Sequence, residues 1–329
     1  MENLNDAVFD FDFNHCIYRN GFVFTSVTEP ANVLDGIVIR NPQNCDCWSP
    51  KKSFSECSLE EHIDFINEHK LEKAFVIAED INFITACPSL KYIIVIPADT
   101  AHDNFDYSPL YQMPEIKYLS CATAYGGISE PCAATIDYSK INGLRELDMH
   151  GKGHLNYSKI QTLESIKLYE NKTIKDFREI GHNASLKRVW FTQTNINSLQ
   201  GINSLCDLQE LSINYSRSLQ DITDLSGVAD SLRSLCVENC PEITDFSCLH
   251  KLINLEHLEL FGKNELPDLS FLKSMKKLKT FSFSMSVADC DLQPCMNVPY
   301  VYLAKGKKQY NLKDKDLPKI IPEQGFELQ

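Results

Sequence analysis

The residues near the start of the chain that could hold a metal ion are cysteines and a histidine. Cys45, Cys47 and Cys57, with His15 and Cys16 upstream, are ligand types that suit zinc. Structural zinc sites usually space their cysteines as Cys-x-x-Cys, whereas a single residue separates Cys45 from Cys47. The spacing favours ordinary thiols, so we predict no cofactor and no metal, and a metalloprotein built on these cysteines stays the alternative.

Two carboxylates in the same region are the other candidates for chemistry. Asp10-Phe11-Asp12 follows an apolar residue pair and resembles the aspartate pair of haloacid-dehalogenase phosphatases. That resemblance implies a nucleophilic first carboxylate and an acid/base second one. The family also requires normal helices after the pair, and residues 13–57 show no helical pattern. We therefore predict that the protein is not an enzyme, with catalysis by Asp10 and Asp12 as the alternative.

The elements that would position any site are sequence repeats. The pattern Leu-x-x-Leu-x-Leu, with other apolar residues allowed, recurs along residues 163–283. Its central residues lie 22 to 24 positions apart: Ile166, Val189, Leu211, Leu235, Leu258 and Phe281. This period is typical of leucine-rich repeats. The sequence is similar to the short repeats of internalins and of regulatory subunits of protein phosphatase 1, most strongly over residues 144–283.

The resemblance implies an α/β solenoid: a right-handed leucine-rich-repeat horseshoe with a concave parallel β-sheet and short helical or irregular convex segments. Alternation within Leu-x-Leu sends both apolar side chains to one face of a strand. Stacked units then share one core. Small polar or thiol residues follow the strands and are expected to bond the turning backbone of the next coil: Asn171, Thr194, Ser216, Cys240 and Ser286. Short helical turns are expected from the similar segments 222–226, 243–247 and 266–270.

Three regions follow from this pattern. We assign residues 1–57 to an N-terminal cap with a β-hairpin at Asn20-Gly21 and a first strand, residues 58–303 to about 10 to 11 coils, and residues 304–329 to a C-terminal cap. Ser58 and Glu61 form a capping-box pattern that predicts a helix over 59–70. Longer coils at 97–116 and 120–143 are expected to carry protruding loops.

Composition limits the partner and the compartment. The 329 residues carry a net charge of −13, which disfavours nucleic acid and anionic membranes and suits a basic protein partner. No secretory signal and no apolar segment of membrane-spanning length is evident. Thirteen cysteines, an odd number without Cys-x-x-Cys pairs, predict reduced and mostly buried thiols in a cytoplasmic protein.

The side chains that alternate with the core residues predict an acidic, aromatic concave face, on which Trp190 has no core to fill and should face solvent. We expect this face to make the protein a protein–protein interaction module, specifically an inhibitor or immunity-type protein. Leu235→Ala should be costly, and Glu259, taken as exposed, should tolerate alanine. The predicted partner-binding residues are Glu146, Asp148, His150, Lys167, Tyr169, Glu170, Arg188, Trp190, Glu210, Tyr215, Glu238, His257, Glu259 and Phe261.

Overall fold

The structure is a computed structural model that describes residues 16–25, 36–40, 56–98, 105–122 and 135–321. Asp10, Asp12, Cys45, Cys47 and the middle of both predicted loop regions lie outside the described residues. The chain divides into two units, Met1–Tyr157 and Ser158–Gln329.

The first unit contains a sheet that begins antiparallel and continues parallel. Strands β1, β2 and β3 pair antiparallel, and β3, β4, β5, β6 and β8 follow one another in parallel order, while β7 pairs with β9. The predicted Asn20-Gly21 turn joins β1 to β2, with φ of 53° and 84°. The elements are β1 Cys16–Arg19, β2 Phe22–Thr25, β3 Gly36–Arg40, α1 Leu59–His69, β4 Lys73–Ala78, β5 Tyr92–Pro97, β6 Tyr118–Ala122, β7 Ile136–Asp137, β8 Glu146–His150 and β9 His154–Leu155.

Helix α1 begins where the capping-box pattern predicts. Glu61 N donates to Ser58 Oγ over 3.2 Å, and Ser58 N donates to the Glu61 carboxylate over 2.6 Å, so two of the N–H donors at the helix start are satisfied. The helix buries His62 and Ile66, and Lys70 ends it in the left-handed conformation with φ of 50°. The prediction of a helix here is confirmed to within one residue.

The second unit is a parallel sheet in which each strand pairs with the next coil's strand. The neighbours run β10, β11, β12, β13, β14, β16 and β18, and β15 pairs with β17 beside them. The strands are β10 Ser165–Tyr169, β11 Arg188–Thr192, β12 Glu210–Asn214, β13 Ser234–Glu238, β14 His257–Phe261, β15 Glu265–Leu266, β16 Thr280–Phe283, β17 Ser286–Val287 and β18 Tyr300–Leu303.

The register of this sheet places the repeat residues on adjacent rungs. Direct partners across β10 to β14 are Ile166, Val189, Leu211, Leu235 and Leu258, each at most 1% exposed. Each coil therefore places the same motif position at the same point of the core, as the constant period predicts.

Apart from α1, which connects β3 to β4, the helical segments in the described connections between strands are short 3-10 turns. At the predicted turn in residues 243–247, Ser247 N donates to Asp245 Oδ1 over 2.8 Å, and Ser270 N donates to Asp268 Oδ1 over 2.6 Å in the next coil. In the preceding coil the capping aspartate is Asp221 instead, because the turn starts earlier. The segments are Asn82–Ala86, Ser108–Gln112, Tyr138–Lys140, Tyr157–Lys159, Phe177–Glu179, Ile202–Ser204, Thr223–Val228, Ser247–Lys251, Ser270–Lys273, Gln293–Asn297 and Asp314–Asp316.

A ladder of small polar groups fixes the turns after the strands. Thr194 and Ser216 join their hydroxyls over 2.9 Å, and Cys240 Sγ donates to the Ile213 carbonyl of the preceding coil over 3.5 Å. The coil after β14 uses Asn264, whose Nδ2 donates to the Cys240 and Ile243 carbonyls. The carbonyls that accept from Cys240 and Asn264 therefore lie in the preceding coil, whereas the sequence predicts bonds to the next coil.

Each coil thus consists of a strand, a polar turn and a short return over a shared apolar interior. This is the leucine-rich-repeat solenoid that the sequence predicts, and the predicted fold class is confirmed. Within the described residues, no helix is long and apolar enough to cross a membrane.

Candidate binding surface

The side chains of β10 to β18 that point away from the repeat core form one face, which we call the sheet face. Its middle row follows from the strand register, because partners in a parallel sheet project to the same side. From β10 to β18 the row reads Lys167, Trp190, Ser212, Cys236, Glu259, Ser282 and Tyr302.

Trp190 lies at the centre of a small ionic cluster on this face. The Lys167 Nζ atom is 3.7 Å from the centre of the indole ring, and Trp190 Nε1 donates to Glu210 Oε1 over 2.7 Å. Arg188 is the direct strand partner of Glu210. The indole is half-buried, so it lies on the face as predicted but Lys167 covers part of it. Both contacts hold the ring in one orientation.

The pKa of the Glu210 carboxyl reflects its burial within this cluster. Burial raises the pKa of its carboxyl above the ordinary value, while the Trp190 hydrogen bond and the charges of Arg188 and Lys167 act in the opposite direction. The carboxylate is therefore held by neighbours yet poorly hydrated, which makes it sensitive to any partner that brings a further positive charge.

Glu259 and Cys236 are neighbours in the middle row. Burial raises the pKa of the Glu259 carboxyl and also that of the Cys236 thiol. Cys236 Sγ lies 3.6 Å from Asn214 Oδ1, to which it can donate. A thiol with a raised pKa stays protonated and is a poor nucleophile. The prediction that Glu259 is exposed is wrong: the side chain is half-buried because Cys236 and the adjacent strands flank it.

Tyr215 marks the edge of the face where the strands end. Its hydroxyl donates to Glu238 Oε1 over 2.6 Å, and Asn239 Nδ2 donates to the same oxygen over 3.0 Å. Tyr215 is nevertheless 46% exposed as a whole residue, and Tyr169 on β10 is 40% exposed. Aromatic side chains with a fixed hydroxyl and an open ring are suited to burial against a partner.

The remaining predicted residues divide between the two units. On the sheet face, His257 Nδ1 lies 2.9 Å from Thr280 Oγ1, Phe261 is half-buried and Glu170 is exposed. Burial lowers the pKa of His257, so its ring is mainly neutral at pH 7. Three further predicted residues belong to β8 of the first unit: Glu146, Asp148 and His150, of which the last two lie 3.2 Å apart.

The charges on the strands of the sheet face are mixed. Lys167 and Arg188 surround Trp190, whereas the carboxylates of Glu210, Glu238 and Glu259 extend from there across β12 to β14. Carboxylates therefore outnumber cations on these strands. They lie beside Trp190, which contacts the oppositely charged Lys167 and Glu210.

Sequence reasoning missed aromatic residues at the end of the sheet face. Tyr300 and Tyr302 lie on β18, and the Tyr302 side chain is 43% exposed. The signal was present, because Val298, Val301 and Leu303 repeat the strand pattern and the residues between them must point outward. Lys319 Nζ lies 5.7 Å and 6.0 Å from the two tyrosine ring centres and donates to Asp314 Oδ1 over 2.7 Å.

The alternative site near the N-terminus is described only in part. Cys57 Sγ lies 3.7 Å from the Asn20 carbonyl oxygen, in hydrogen-bonding range. His15, Cys45 and Cys47 are outside the described residues, and Cys16 is described only as a backbone position of β1. In the part of the chain that the structure describes, no three His, Cys, Asp or Glu side chains are placed to hold a metal ion. The described cysteines are free thiols, and five of the nine are buried.

Comparison with solved structures finds leucine-rich-repeat proteins. Internalin InlF of Listeria monocytogenes is 17% identical, over 83% of this chain and 92% of its own, with a TM-score of 0.43. The functional domain of InlJ from the same organism is 17% identical, over 71% and 57%, with a TM-score of 0.46. TLR13 in its complex with ssRNA13 is 12% identical, over 71% and 39%, with a TM-score of 0.49. Neither a protein-family profile nor a curated protein sequence matches the chain.

Proposed function

We propose that the protein is an interaction module that binds a basic protein partner through the sheet face of its second unit. The observation that carries the proposal is Trp190, which lies outside the core between Lys167 and Glu210. Tryptophan is enriched among the residues that dominate binding energies, because it buries a large area at a small entropic cost. Its ring is already oriented, so binding would lose little additional freedom.

The chemistry of the partner is inferred from the charges around this anchor. Glu210, Glu238 and Glu259 extend from it across β12 to β14 and suit lysine or arginine side chains. The net charge of −13 would slow approach to the phosphate groups of nucleic acid or an anionic membrane. We therefore favour a protein over either of these, and an inhibitor or immunity-type protein that blocks a basic enzyme is the specific form of the proposal.

The decisive experiment is affinity capture of partners from a nuclease-treated native lysate. The chain and its Trp190→Ala variant should differ by about thirtyfold in the amount of one partner that they retain, as expected for an anchor worth about 2 kcal/mol. Ile253→Ala is the matched control, because Ile253 is exposed but lies in the turn before β14. Equal capture by the chain and the Trp190 variant would overturn the proposal.

A cytoplasmic location belongs to the same proposal. The odd number of cysteines and the thiols at the described positions fit a reducing compartment. Fractionation of the source cells should recover the protein with the soluble contents of the cytoplasm, and its recovery from the medium would contradict this location.

A further inference from the structure

A shallow hollow lies beside the sheet face, on the loops that follow β12, β13 and β14. Its volume is about 330 Å³, and its lining residues come from three successive coils: Tyr215, Arg217, Asn239, Pro241, Lys263 and Asn264. Tyr215 belongs to both the hollow and the edge of the sheet face, so a ligand in the hollow would be continuous with a partner on that face.

Two cationic side chains, Arg217 and Lys263, line the hollow. Arg217 and Lys263 are exposed, and within the described residues neither forms an ion pair or a hydrogen bond through its side chain. They lie on alternate coils, so their backbones are about 10 Å apart, twice the spacing of adjacent strands. Long side chains from both coils can therefore reach a single anionic group above Pro241 between them.

Asn264 adds an unsatisfied acceptor to this lining. Its Nδ2 donates to the Cys240 and Ile243 carbonyls, whereas its Oδ1 is buried and has no hydrogen-bond partner in the part of the chain that the structure describes. In an earlier coil, the equivalent oxygen of Asn171 accepts from the backbone N–H groups of Thr173 and Ile174. A ligand that brings an N–H donor would satisfy the unpartnered Oδ1 acceptor of Asn264.

The surroundings of the hollow select against polyanions. The Glu238 carboxylate lies at its rim, bonded to Tyr215 and Asn239, and Glu242 is exposed next to Pro241. A phosphate group would meet this negative charge and would bring no N–H donor. An acidic residue within a polypeptide brings one carboxylate together with the N–H groups of its own backbone.

We propose that the hollow receives a glutamate or aspartate side chain from an otherwise basic segment of a partner protein. The carboxylate would lie between Arg217 and Lys263, and a neighbouring backbone N–H would donate to Asn264 Oδ1. The inference rests on the proposed function and sharpens it, because the partner must then present one acidic residue beside the basic residues that face Glu238 and Glu259. Such a mixed pattern excludes partners that are uniformly basic.

The test uses a defined peptide, Lys-Gly-Glu-Gly-Lys with acetylated and amidated ends, and its counterpart with glutamine in place of glutamate. Titration of the isotope-labelled full chain should shift the side-chain amide NMR signals of Asn239 and Asn264 at millimolar glutamate peptide. The glutamine peptide should bind at least tenfold more weakly. The double variant Arg217→Gln/Lys263→Gln should abolish the difference between the peptides.

Two controls keep the result specific to the hollow. Lys276→Gln/Lys277→Gln removes the same number of positive charges from exposed positions before β16 and should leave the titration unchanged. Trp190→Ala should also leave it unchanged, so failure of the proposed anchor and failure of the hollow give different results. Equal shifts from both peptides, no shift from either, or tighter binding of inorganic phosphate than of the glutamate peptide would overturn the inference.

Discussion

Strands β3 to β5 and strands β11 to β14 have the same parallel pairing but differ on the face opposite the repeat core. In the first unit that face is apolar: Phe75 is 1% exposed and forms a buried cluster with Val23 and Val38, against which Ile94 and Ile96 pack. In the second unit the corresponding positions of β11 to β14 are Trp190, Ser212, Cys236 and Glu259. A strand buried on both faces uses its outward residues for stability, so the open polar face is the one available for a partner.

The largest expected effect tests this difference at one strand position. Phe75 and Trp190 both occupy the middle outward position of their strands. Phe75→Ala should cost about 3 to 5 kcal/mol, because it empties a buried cluster. Trp190→Ala should cost about 1 to 2 kcal/mol, the sum of a cation–π contact and a hydrogen bond. Urea denaturation of both variants measures the two free energies of unfolding, and equal losses would show that Trp190 belongs to a core.

A second effect concerns the core that the second unit shares between coils. Leu235 is 1% exposed and is the direct partner of Leu211 and Leu258. Leu235→Ala should therefore cost about 2 to 5 kcal/mol by leaving a cavity beneath two neighbouring strands. Chemical denaturation followed by far-ultraviolet circular dichroism measures it. A loss below about 1 kcal/mol, the typical effect of an average substitution, would contradict the assignment of this row to the core.

A smaller effect is the pH dependence that Glu210 confers. Its pKa is raised in the folded state, mainly by burial, so the folded protein binds the proton more tightly than the unfolded chain does. The resulting stabilisation is fully present below the unfolded pKa of about 4.3 and is lost as the pH rises through the folded pKa. The stability of the Glu210→Gln variant minus that of the original chain should thus increase from pH 4 to pH 7, because only the original chain loses this stabilisation. The midpoints of thermal unfolding at several pH values test this, with a constant difference as the contrary result.

The rows of the core could be predicted from the sequence because one period governs them. Once Ile166 and Val189 are 23 residues apart and the next intervals are similar, stacking forces their alignment. The same register implies that Lys167 and Trp190 are neighbours, yet the position of the ammonium group over the indole ring depends on rotamers that the spacing does not specify.

Two features were not predicted from the repeat pattern, because one depends on local backbone geometry and the other on a second sequence pattern. Gly262 adopts φ of 142°, and this moves the polar turn position from Lys263 to Asn264, which counting from β14 does not show. A side chain at 262 would be strained, and its Cβ would lie 3.2 Å from Asn264 Oδ1.

The second feature is the burial of β4 on both faces. The repeat pattern assigns Ala74 and Val76 to the core and leaves Phe75 out, although the uninterrupted apolar run indicates burial on both faces.

The smallest expected effect is at Glu259, where the structure changes the reason for the prediction. Glu259→Ala should alter the free energy of unfolding by at most about 0.5 kcal/mol at pH 7, the usual range away from core contacts. The Glu259 side chain is half-buried, and this burial raises the pKa of its carboxyl, so the ionised form is disfavoured in the folded state. At pH 7 the substitution by alanine therefore removes an unfavourable charge, but it also removes the packing contacts of the side chain. These opposing contributions nearly cancel at pH 7. Below pH 4 only the contacts of the neutral carboxyl remain, so the variant should then be slightly less stable than the original chain. Denaturation at pH 7 and below pH 4 measures this difference. A loss of stability that is larger at pH 7 than below pH 4 would mean that the Glu259 carboxylate stabilises the face as an ion.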